Sequence, residues 1–440
     1  MNIRKHFFVI LCFCLLSVLP LGAQNAMNVP FSQYGIGENS RYTCMPYLMS
    51  LGGAAYTLSG NNFINPFNPA SYAAIERESF IFDMGVAIDM TTLSSGDRSL
   101  YDADGRIGYI TFGMPITKWW KSSFGLLPYS ETNYESVRSM TDSSTYGSMR
   151  NIYDGTGQVS EIYWGNGFNI GKNLRVGFNM NFLYGQIQRA ITFDFADTAY
   201  MNSRREKSTY INNIYFNGGL QYDVHFNTDH SMTFGLTATM PKTMRVSDNS
   251  LVYTFIEYGG SVYMCDTVFP LPGESSEYES TMEQPFTLGA GLSFRKHSRW
   301  MVAADFTYAP WSGLKYTEAP DHNIFGTSIL RYDQYSRLAI GFELSGDLSA
   351  TEYLKRISWR AGFHQEHGRL YLALNDKTHS IGESGFSFGT SLPMRKGRSM
   401  FNITFNYSKI GDRDLIRRDC FTIGMSVSTC DRWFVKRKYN

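Results

Sequence analysis

The stretch that decides the fold reads FNITFNYS over residues 401–408. Its odd-numbered positions are apolar or aromatic and its even-numbered positions are polar, so the side chains alternate with period two. This alternation predicts a β-strand with one apolar face and one polar face. The same pattern recurs in residues 214–226, 232–240, 286–294 and 421–428. The sequence therefore predicts an all-β protein.

Two classes of protein contain such strands, a soluble β-sandwich and a transmembrane β-barrel. Strands that face bulk water carry many Lys and Glu, whereas the polar face here carries Gly, Ser, Thr and Asn with single charges. The alternating segments often run for twelve to eighteen residues. Soluble strands average about five or six residues, and a membrane strand needs about nine to eleven. The sequence therefore favours a transmembrane antiparallel barrel.

We count about fourteen alternating segments, and an even number is expected of a bacterial barrel with both ends on one side. They span residues 76–91, 104–117, 121–133, 156–170, 172–188, 209–226, 229–245, 280–296, 299–315, 329–345, 356–369, 380–395, 398–411 and 417–434. The first, third, fifth and seventh connections are long, at 92–103, 134–155, 189–208 and 246–279. Tight turns separate them, as short periplasmic turns alternate with longer outer loops.

The composition agrees with a barrel and gives no sign of nucleic-acid binding. Aromatic residues make up 15% of the chain and charged residues 18%, and 40 Lys and Arg nearly balance 39 Asp and Glu. Aromatic side chains mark segment ends, as in the interfacial girdles of outer-membrane barrels. They are Trp119, Trp120, Trp164, Trp300, Trp311, Trp433 and Phe434.

The chain divides into four parts. Residues 1–23 have a basic start, an apolar run and a Gly22-Ala23 end, which predicts a secretory signal peptide; a membrane anchor is the alternative. Residues 24–75 precede the barrel, residues 76–434 form it, and residues 435–440 are a basic tail. Together these features predict that the protein lies in the outer membrane of a Gram-negative bacterium and is surrounded by outer-membrane lipid.

Residues 24–75 carry Gly, Asn and Pro too often for a long strand or helix. A barrel of about fourteen strands is wider than one that its own side chains can fill. We therefore predict that this segment is a hatch inside the lumen; an exposed periplasmic extension is the alternative. Four cysteines follow the signal peptide, at Cys44, Cys265, Cys420 and Cys430, and none shows disulfide or metal-ligand spacing.

Asn68-Pro69-Ala70, just before the first strand, resembles the hatch motif of the FadL-type family. Residues 52–55 (GGAA) and 304–308 (ADFTY) with Trp311 add to the resemblance, whereas Ser71-Tyr72 departs from the small apolar pair often found there. The resemblance implies a fourteen-stranded outer-membrane transporter with an N-terminal hatch. It also implies a hydrophobic small molecule or lipid as the ligand.

Pro128 lies inside the third predicted strand. Proline donates no hydrogen bond to a β-ladder, so it marks an edge, a bulge or a break. In the FadL-type family a kink in the third strand opens a lateral window from the lumen to the bilayer, and the resemblance gives Pro128 that role. The alternative is a strand end near the outer rim.

Inward-facing positions gather charges, which we interpret as lumenal ion pairs that hold the hatch. They are Asp83, Asp89, Arg175, Asp223, His225, Asp305, Arg337, Glu343, Arg360, His364 and Glu366. His364 and Glu366 share a strand face and could suit barrel catalysis, but no candidate Ser or Cys lies near them. The sequence holds no phosphate loop, metalloprotease helix or nucleophile elbow, so we expect neither an enzyme nor a cofactor or metal.

The sequence is compatible with two functions. The first is passive uptake of a small hydrophobic compound through a lumenal pocket and a lateral opening. The second is a non-transporting barrel that serves as a subunit of an outer-membrane secretion, insertion or nutrient-uptake assembly, with other outer-membrane proteins as partners.

Overall fold

A computed structural model describes residues 29–33, 35–39, 44–142, 147–258, 261–271, 275–296, 299–313, 316–317, 330–332, 334–368, 370–374, 377–394, 398–411 and 416–432. The predicted signal peptide at 1–23, the basic tail at 435–440, Trp433 and Phe434 lie outside these residues. Among the residues described, no helix is long and apolar enough to span a membrane.

The described chain forms a closed antiparallel β-barrel of fourteen strands, which confirms the predicted fold class. The strands are β1 (Ser79–Ser95), β2 (Arg98–Pro115), β3 (Trp120–Asp142), β4 (Gly147–Ile170), β5 (Leu174–Phe195), β6 (Asn202–His225), β7 (His230–Thr239 and Lys242–Tyr258), β8 (Glu277–Gln284 and Thr287–Lys296), β9 (Trp300–Pro310), β10 (Gln334–Leu344), β11 (Ser358–His367), β12 (Glu383–Met394), β13 (Ser399–Gly411) and β14 (Arg417–Arg432). Each strand pairs with the next, and β1 pairs with β14 from Ser79↔Arg432 to Ser94↔Arg417.

Short elements surround or fill the barrel. Helical turns lie at Pro30–Gln33, Pro46–Met49, Pro69–Ala74, Trp311–Gly313 and Tyr353–Arg356, and short strands lie at Glu38–Asn39, Ser261–Phe269, Tyr316–Thr317, Leu330–Tyr332, Leu370–Leu374 and Lys377–Ser380. The strand Ser261–Phe269 folds back on the upper part of β7 as a hairpin.

Side chains alternate across the wall as the period-two pattern predicts. Phe405 on β13 points outward and is 40% exposed, whereas its neighbour Asn406 points inward and is 2% exposed. Phe124, Phe216 and Phe306 on other strands also face outward and are exposed. A continuous apolar outer surface is what contact with lipid requires.

The predicted long connections at 92–103, 134–155, 189–208 and 246–279 consist largely of β-hairpins that continue the strands of the wall. Strands β3 and β4, for example, stay paired up to Asp142↔Gly147. Antiparallel pairing continues above the membrane since it satisfies the backbone of both strands, even where both faces are polar. At 24 residues each, β4 and β6 are about 80 Å long at ~3.3 Å per residue.

Residues 44–75 lie against the inner face of this wall. Their apolar side chains, such as Leu48, Leu51 and Tyr72, form one buried cluster with inward-facing wall residues that include Tyr163 and Met301. Glycines in the wall make room for this segment. A Cβ atom at Gly177 would collide with the backbone of Pro69, and one at Gly362 would collide with the backbone of Leu51 and Gly52.

Candidate lumenal site

The Asn68-Pro69-Ala70 motif starts the helical turn Pro69–Ala74. The Asn68 side chain accepts a hydrogen bond from the Ala70 amide at 3.1 Å, which caps this turn. Its amide nitrogen donates to the Tyr56 carbonyl at 2.6 Å and to the Leu220 carbonyl of β6 at 3.2 Å. The motif therefore joins two parts of residues 44–75, which we call the inner segment, to the wall.

Asp305 and Arg337 hold the turn at residues 52–56 from opposite ends. Asp305 accepts hydrogen bonds from the Ala55 and Tyr56 amides at 2.5 and 2.7 Å. Arg337 donates to the Gly52 and Gly53 carbonyls at 2.7 and 3.4 Å. Gly52 and Gly53 have φ values of 67° and 78°, a left-handed backbone that aims both carbonyls at the same guanidinium.

Glu343 and Arg360 form a buried ion pair of 2.7 Å beside the helical turn Pro46–Met49. The Arg360 guanidinium lies 4.0 Å from the centre of the Tyr47 ring, and the Tyr47 hydroxyl donates to Glu343 at 3.0 Å. Burial raises the pKa of Tyr47, so its hydroxyl stays protonated and acts as a donor. Both wall charges thus contact the inner segment directly.

Of the remaining predicted inward charges, Arg175 donates to the Ser59 hydroxyl at 2.7 Å and Asp83 accepts from the Ile64 amide at 3.5 Å, so both also contact residues 44–75. Asp83 accepts a hydrogen bond from the Tyr109 hydroxyl at 2.6 Å, and Asp89 pairs with Arg106 at 2.7 Å. Asp223 pairs with Arg175 at 2.7 Å near the end of β6. His225 lies at the exposed end of β6 and does not join these groups.

Uncharged side chains of the wall make further contacts with the inner segment that sequence reasoning missed. Asn179 donates to the Pro66 carbonyl at 2.9 Å, Gln221 to the Tyr56 carbonyl at 2.9 Å, and Thr404 to the Pro46 carbonyl at 2.7 Å. Each occupies an inward position of an alternating strand. The alternation of the strands shows that these side chains point inward. It does not single them out, because polar residues of this kind occur at most inward positions.

A cavity of about 180 Å³ lies between the inner segment and the upper wall. Aromatic rings line part of it: Phe31, Tyr56, Phe67, Tyr129, Trp311 and Tyr335. The charged side chains that line it are Glu38, Arg337, His364, Glu366 and Glu383. The space is therefore amphipathic, with rings for an apolar body and polar groups for a head.

His364 and Glu366 both line this cavity but do not pair with each other. The His364 Nε2 atom lies 3.2 Å from the Glu383 carboxylate, and Glu366 accepts from the Tyr335 hydroxyl at 3.0 Å. Glu383 was missing from the predicted inward charges. Within the described residues no group of three or more His, Cys, Asp or Glu side chains could hold a metal, and the four cysteines form no disulfide.

The pairing of β2 with β3 ends early, and we call this place the seam. The two strands pair only from Pro115↔Lys121 to Ile110↔Leu126, although both are described well beyond that point. Pro128 lies two residues past the last pair, and the register with β4 shifts between Pro128 and Ser130. The upper half of β2 is left as a strand edge, and its Ile107 side chain is 68% exposed.

Residues that precede the inner segment, Val29 and Glu38–Asn39, occupy the free edge of β3 at the seam. The short strand Glu38–Asn39 pairs with Ser130 and Glu131, and the Val29 amide donates to the Asn133 carbonyl at 2.6 Å. Glu38 forms an ion pair with Arg418 of β14. Glu38 and Asn39 also line the cavity, so the cavity and the seam share a boundary.

The described barrel has the fold of the FadL-type barrels, as comparison with solved structures shows. The Pseudomonas putida toluene transporter TodX matches at a TM-score of 0.54 and 14% identity over 88% of this chain and 97% of that one. The Ralstonia pickettii toluene transporter TbuX matches at 0.51 and 11%, again over 88% and 97%. A Pseudomonas aeruginosa FadL homologue matches at 0.54 and 11%, over 88% and 98%. At these identities the likeness shows the fold alone.

The sequence itself places the chain in a family. The BamG family model matches residues 3–440, so the chain belongs to the BamG family. No curated protein sequence matches it. The protein is thus a barrel of the Gram-negative outer membrane, and its solved structural neighbours named above are transporters or a homologue of one.

Proposed function

We propose that the barrel takes up a small hydrophobic molecule into the lumenal cavity and releases it sideways through the seam. The observation that carries this proposal is the shared boundary of the two features. Tyr129, Glu38 and Asn39 line the cavity, and they belong to the stretches where β3 has lost its pairing with β2. A molecule in the cavity is therefore next to the stretch where β3 pairs with the short strand Glu38–Asn39 instead of with β2.

Contacts below the cavity favour exit of the molecule through the side of the barrel over exit straight through the lumen. Below the cavity the inner segment is bonded to the wall at Asn68, Asp305 and Arg337. An apolar molecule that leaves through the wall enters the bilayer, where its transfer from water is favourable. The structural neighbours TodX and TbuX are toluene transporters, which agrees with such a ligand.

The test compares two prolines that lie within strands. Pro128→Ala supplies a backbone donor at the seam, and Pro393→Ala does the same on β12, where Pro393 pairs with Met400 in an unbroken ladder. We expect Pro128→Ala to slow uptake of labelled toluene into cells that lack other such channels, and Pro393→Ala to leave uptake unchanged. Equal uptake by both variants and the native protein would contradict a lateral path at the seam.

A second candidate function is that of a subunit in an outer-membrane assembly. The observation that favours it is that one side of the barrel is much taller than the other. Strands β3 to β6 have 22 to 24 residues each, whereas β9 to β12 have 10 to 12. The hairpin strand Ser261–Phe269 at the tall side exposes Val262, Tyr263 and Met264 by 53 to 61%. Exposed apolar patches mark protein–protein contacts.

Replacement of Val262, Tyr263 and Met264 by Ser separates the two functions. If the chain is an assembly subunit, proteins that co-purify after mild detergent extraction are lost while toluene uptake stays the same. If the chain works alone, native and variant proteins both purify without partners, and the second candidate function is wrong.

A further inference from the structure

We propose that the connection between β10 and β11, residues 345–357, lies against the lipid face of the wall and inserts apolar side chains into the periplasmic leaflet of the outer membrane. We call this connection the anchor turn. It lies at the same end of the barrel as the short turns after β2, β4 and β6. Its partner is the phospholipid layer itself, and its placement does not depend on the proposed uptake.

The anchor turn exposes large apolar side chains although hydrogen bonds hold it in one shape. Three such side chains are exposed by 46 to 76%, those of Leu348, Tyr353 and Leu354. The Asp347 amide donates to the Lys355 carbonyl at 2.9 Å, and the Gly346 amide donates to the Ser358 hydroxyl at 3.0 Å. Exposed apolar groups on an ordered connection indicate a partner outside the chain.

The lipid face of the wall reaches the anchor turn without a break. Leu344 and Trp359 form the last pair of the ladder between β10 and β11. Both side chains point outward and are 48% and 42% exposed, and Phe342 above them is 44% exposed. An outward Trp at a strand end is typical of the membrane interface. The anchor turn therefore begins at the level where acyl chains meet head groups.

The burial of Ile357 shows to which side the turn bends. Its backbone is extended, with φ −76° and ψ 131°, so its side chain points to the same side of β11 as Trp359 and Ala361. Those two side chains are exposed to the lipid, whereas Ile357 is only 8% exposed. The helical turn Tyr353–Arg356 directly precedes Ile357 and covers it from the lipid side. This position favours lipid over a periplasmic protein as the partner.

The charged side chains of the helical turn fit the head-group layer. Lys355 pairs with Glu352 at 3.1 Å, and the two side chains are 65% and 67% exposed. The Arg356 guanidinium lies 5.8 Å from the centre of the Tyr353 ring. Long basic side chains reach water while their apolar stems lie lower. Insertion of Leu354 therefore brings no unpaired charge into the hydrocarbon.

The first experiment measures the depth of the anchor turn in vesicles of phosphatidylethanolamine and phosphatidylglycerol that contain no other protein. Leu354→Cys carries a nitroxide label in the full protein, with Cys265→Ser and Cys430→Ser replacing the two described cysteines that are not buried. Glu352→Cys is the matched control on the same helical turn, and Asp229→Cys marks water. Power saturation with oxygen and a nickel chelate should place the label at 354 about 5–10 Å inside the head-group boundary. The other two labels should remain accessible to the nickel chelate.

The second experiment measures whether lipid buries Leu354. A leucine that stays 76% exposed to water contributes little to folding, so Leu354→Ser is costly only if lipid covers the side chain. We expect this change to lower the equilibrium constant for folding in the vesicles about tenfold or more, the scale of burying one leucine. Leu100→Ser is the matched control and should leave the constant unchanged, because Leu100 is 55% exposed near the outer end of β2. Heat-modifiable migration on gels shows that each variant is folded.

Either experiment can overturn the proposal. A label at 354 that is as accessible to the nickel chelate as the label at 229 means that the turn hangs in water. A Leu354→Ser variant that folds as well as Leu100→Ser means that lipid does not bury the side chain. Both results would leave the apolar side chains of the turn to a protein partner. Insertion of the label together with the loss of folding supports the anchor.

Discussion

At the scale of single residues, Asp305 links the inner segment to the wall most directly. It is 4% exposed and accepts two backbone hydrogen bonds, from Ala55 and Tyr56. Asp305→Asn removes the charge and part of the acceptor capacity. We expect this change to lower the free energy of unfolding by about 1–3 kcal/mol, measured by urea unfolding in detergent. Asp229→Asn, in an exposed turn, is the control and should leave unfolding unchanged.

The lipid face gives a second prediction at this scale. Phe405 faces outward from the middle of β13 and is 40% exposed, so Phe405→Arg places a charge in the hydrocarbon layer. The expected cost is about 2–4 kcal/mol near the midplane. Tyr258→Arg is the matched change, because Tyr258 is 78% exposed at the tip of β7 above the membrane. Equal losses of stability in the two variants would contradict the membrane position of β13.

At the scale of elements, wall glycines determine how closely the inner segment approaches the strands. Gly177→Val adds a side chain where Pro69 lies, whereas Gly105→Val on β2 adds one where no heavy atom lies within 4 Å. We expect Gly177→Val to displace the helical turn Pro69–Ala74 and make residues 44–75 sensitive to added protease. Gly105→Val should remain resistant, and protection of both variants would mean that the turn is not held by this contact.

The strands were predictable because their signal is local. Side chains alternate within residues 401–408 and 421–428 because one face of each strand is buried and the other meets lipid. The structure has β13 and β14 at these positions. The hairpin above the membrane at β3 and β4 was not predictable, because both of its faces meet water and alternation fades. Contacts such as His364 with Glu383 depend on which strands become neighbours, and spacing within one strand cannot show that.

At the scale of the whole molecule, the barrel has a defined orientation. The turns after β2, β4 and β6 are short, while the opposite ends carry the tall hairpins, as expected for periplasmic and outer sides. A tag inserted at residues 143–146 or 259–260 should be labelled from outside intact cells. A tag after residue 440 should be labelled only after the outer membrane is opened, and labelling of that tag in intact cells would reverse the orientation.

The central claim is that the cavity above the inner segment holds a small molecule next to the seam. The most direct measurement is the anomalous scattering of bromine in crystals of the protein grown with 4-bromotoluene. The account predicts a bromine peak among Tyr56, Tyr129 and Trp311, beside the short strand Glu38–Asn39. Bromine peaks only on the lipid-facing surface, with none in the cavity, would contradict it.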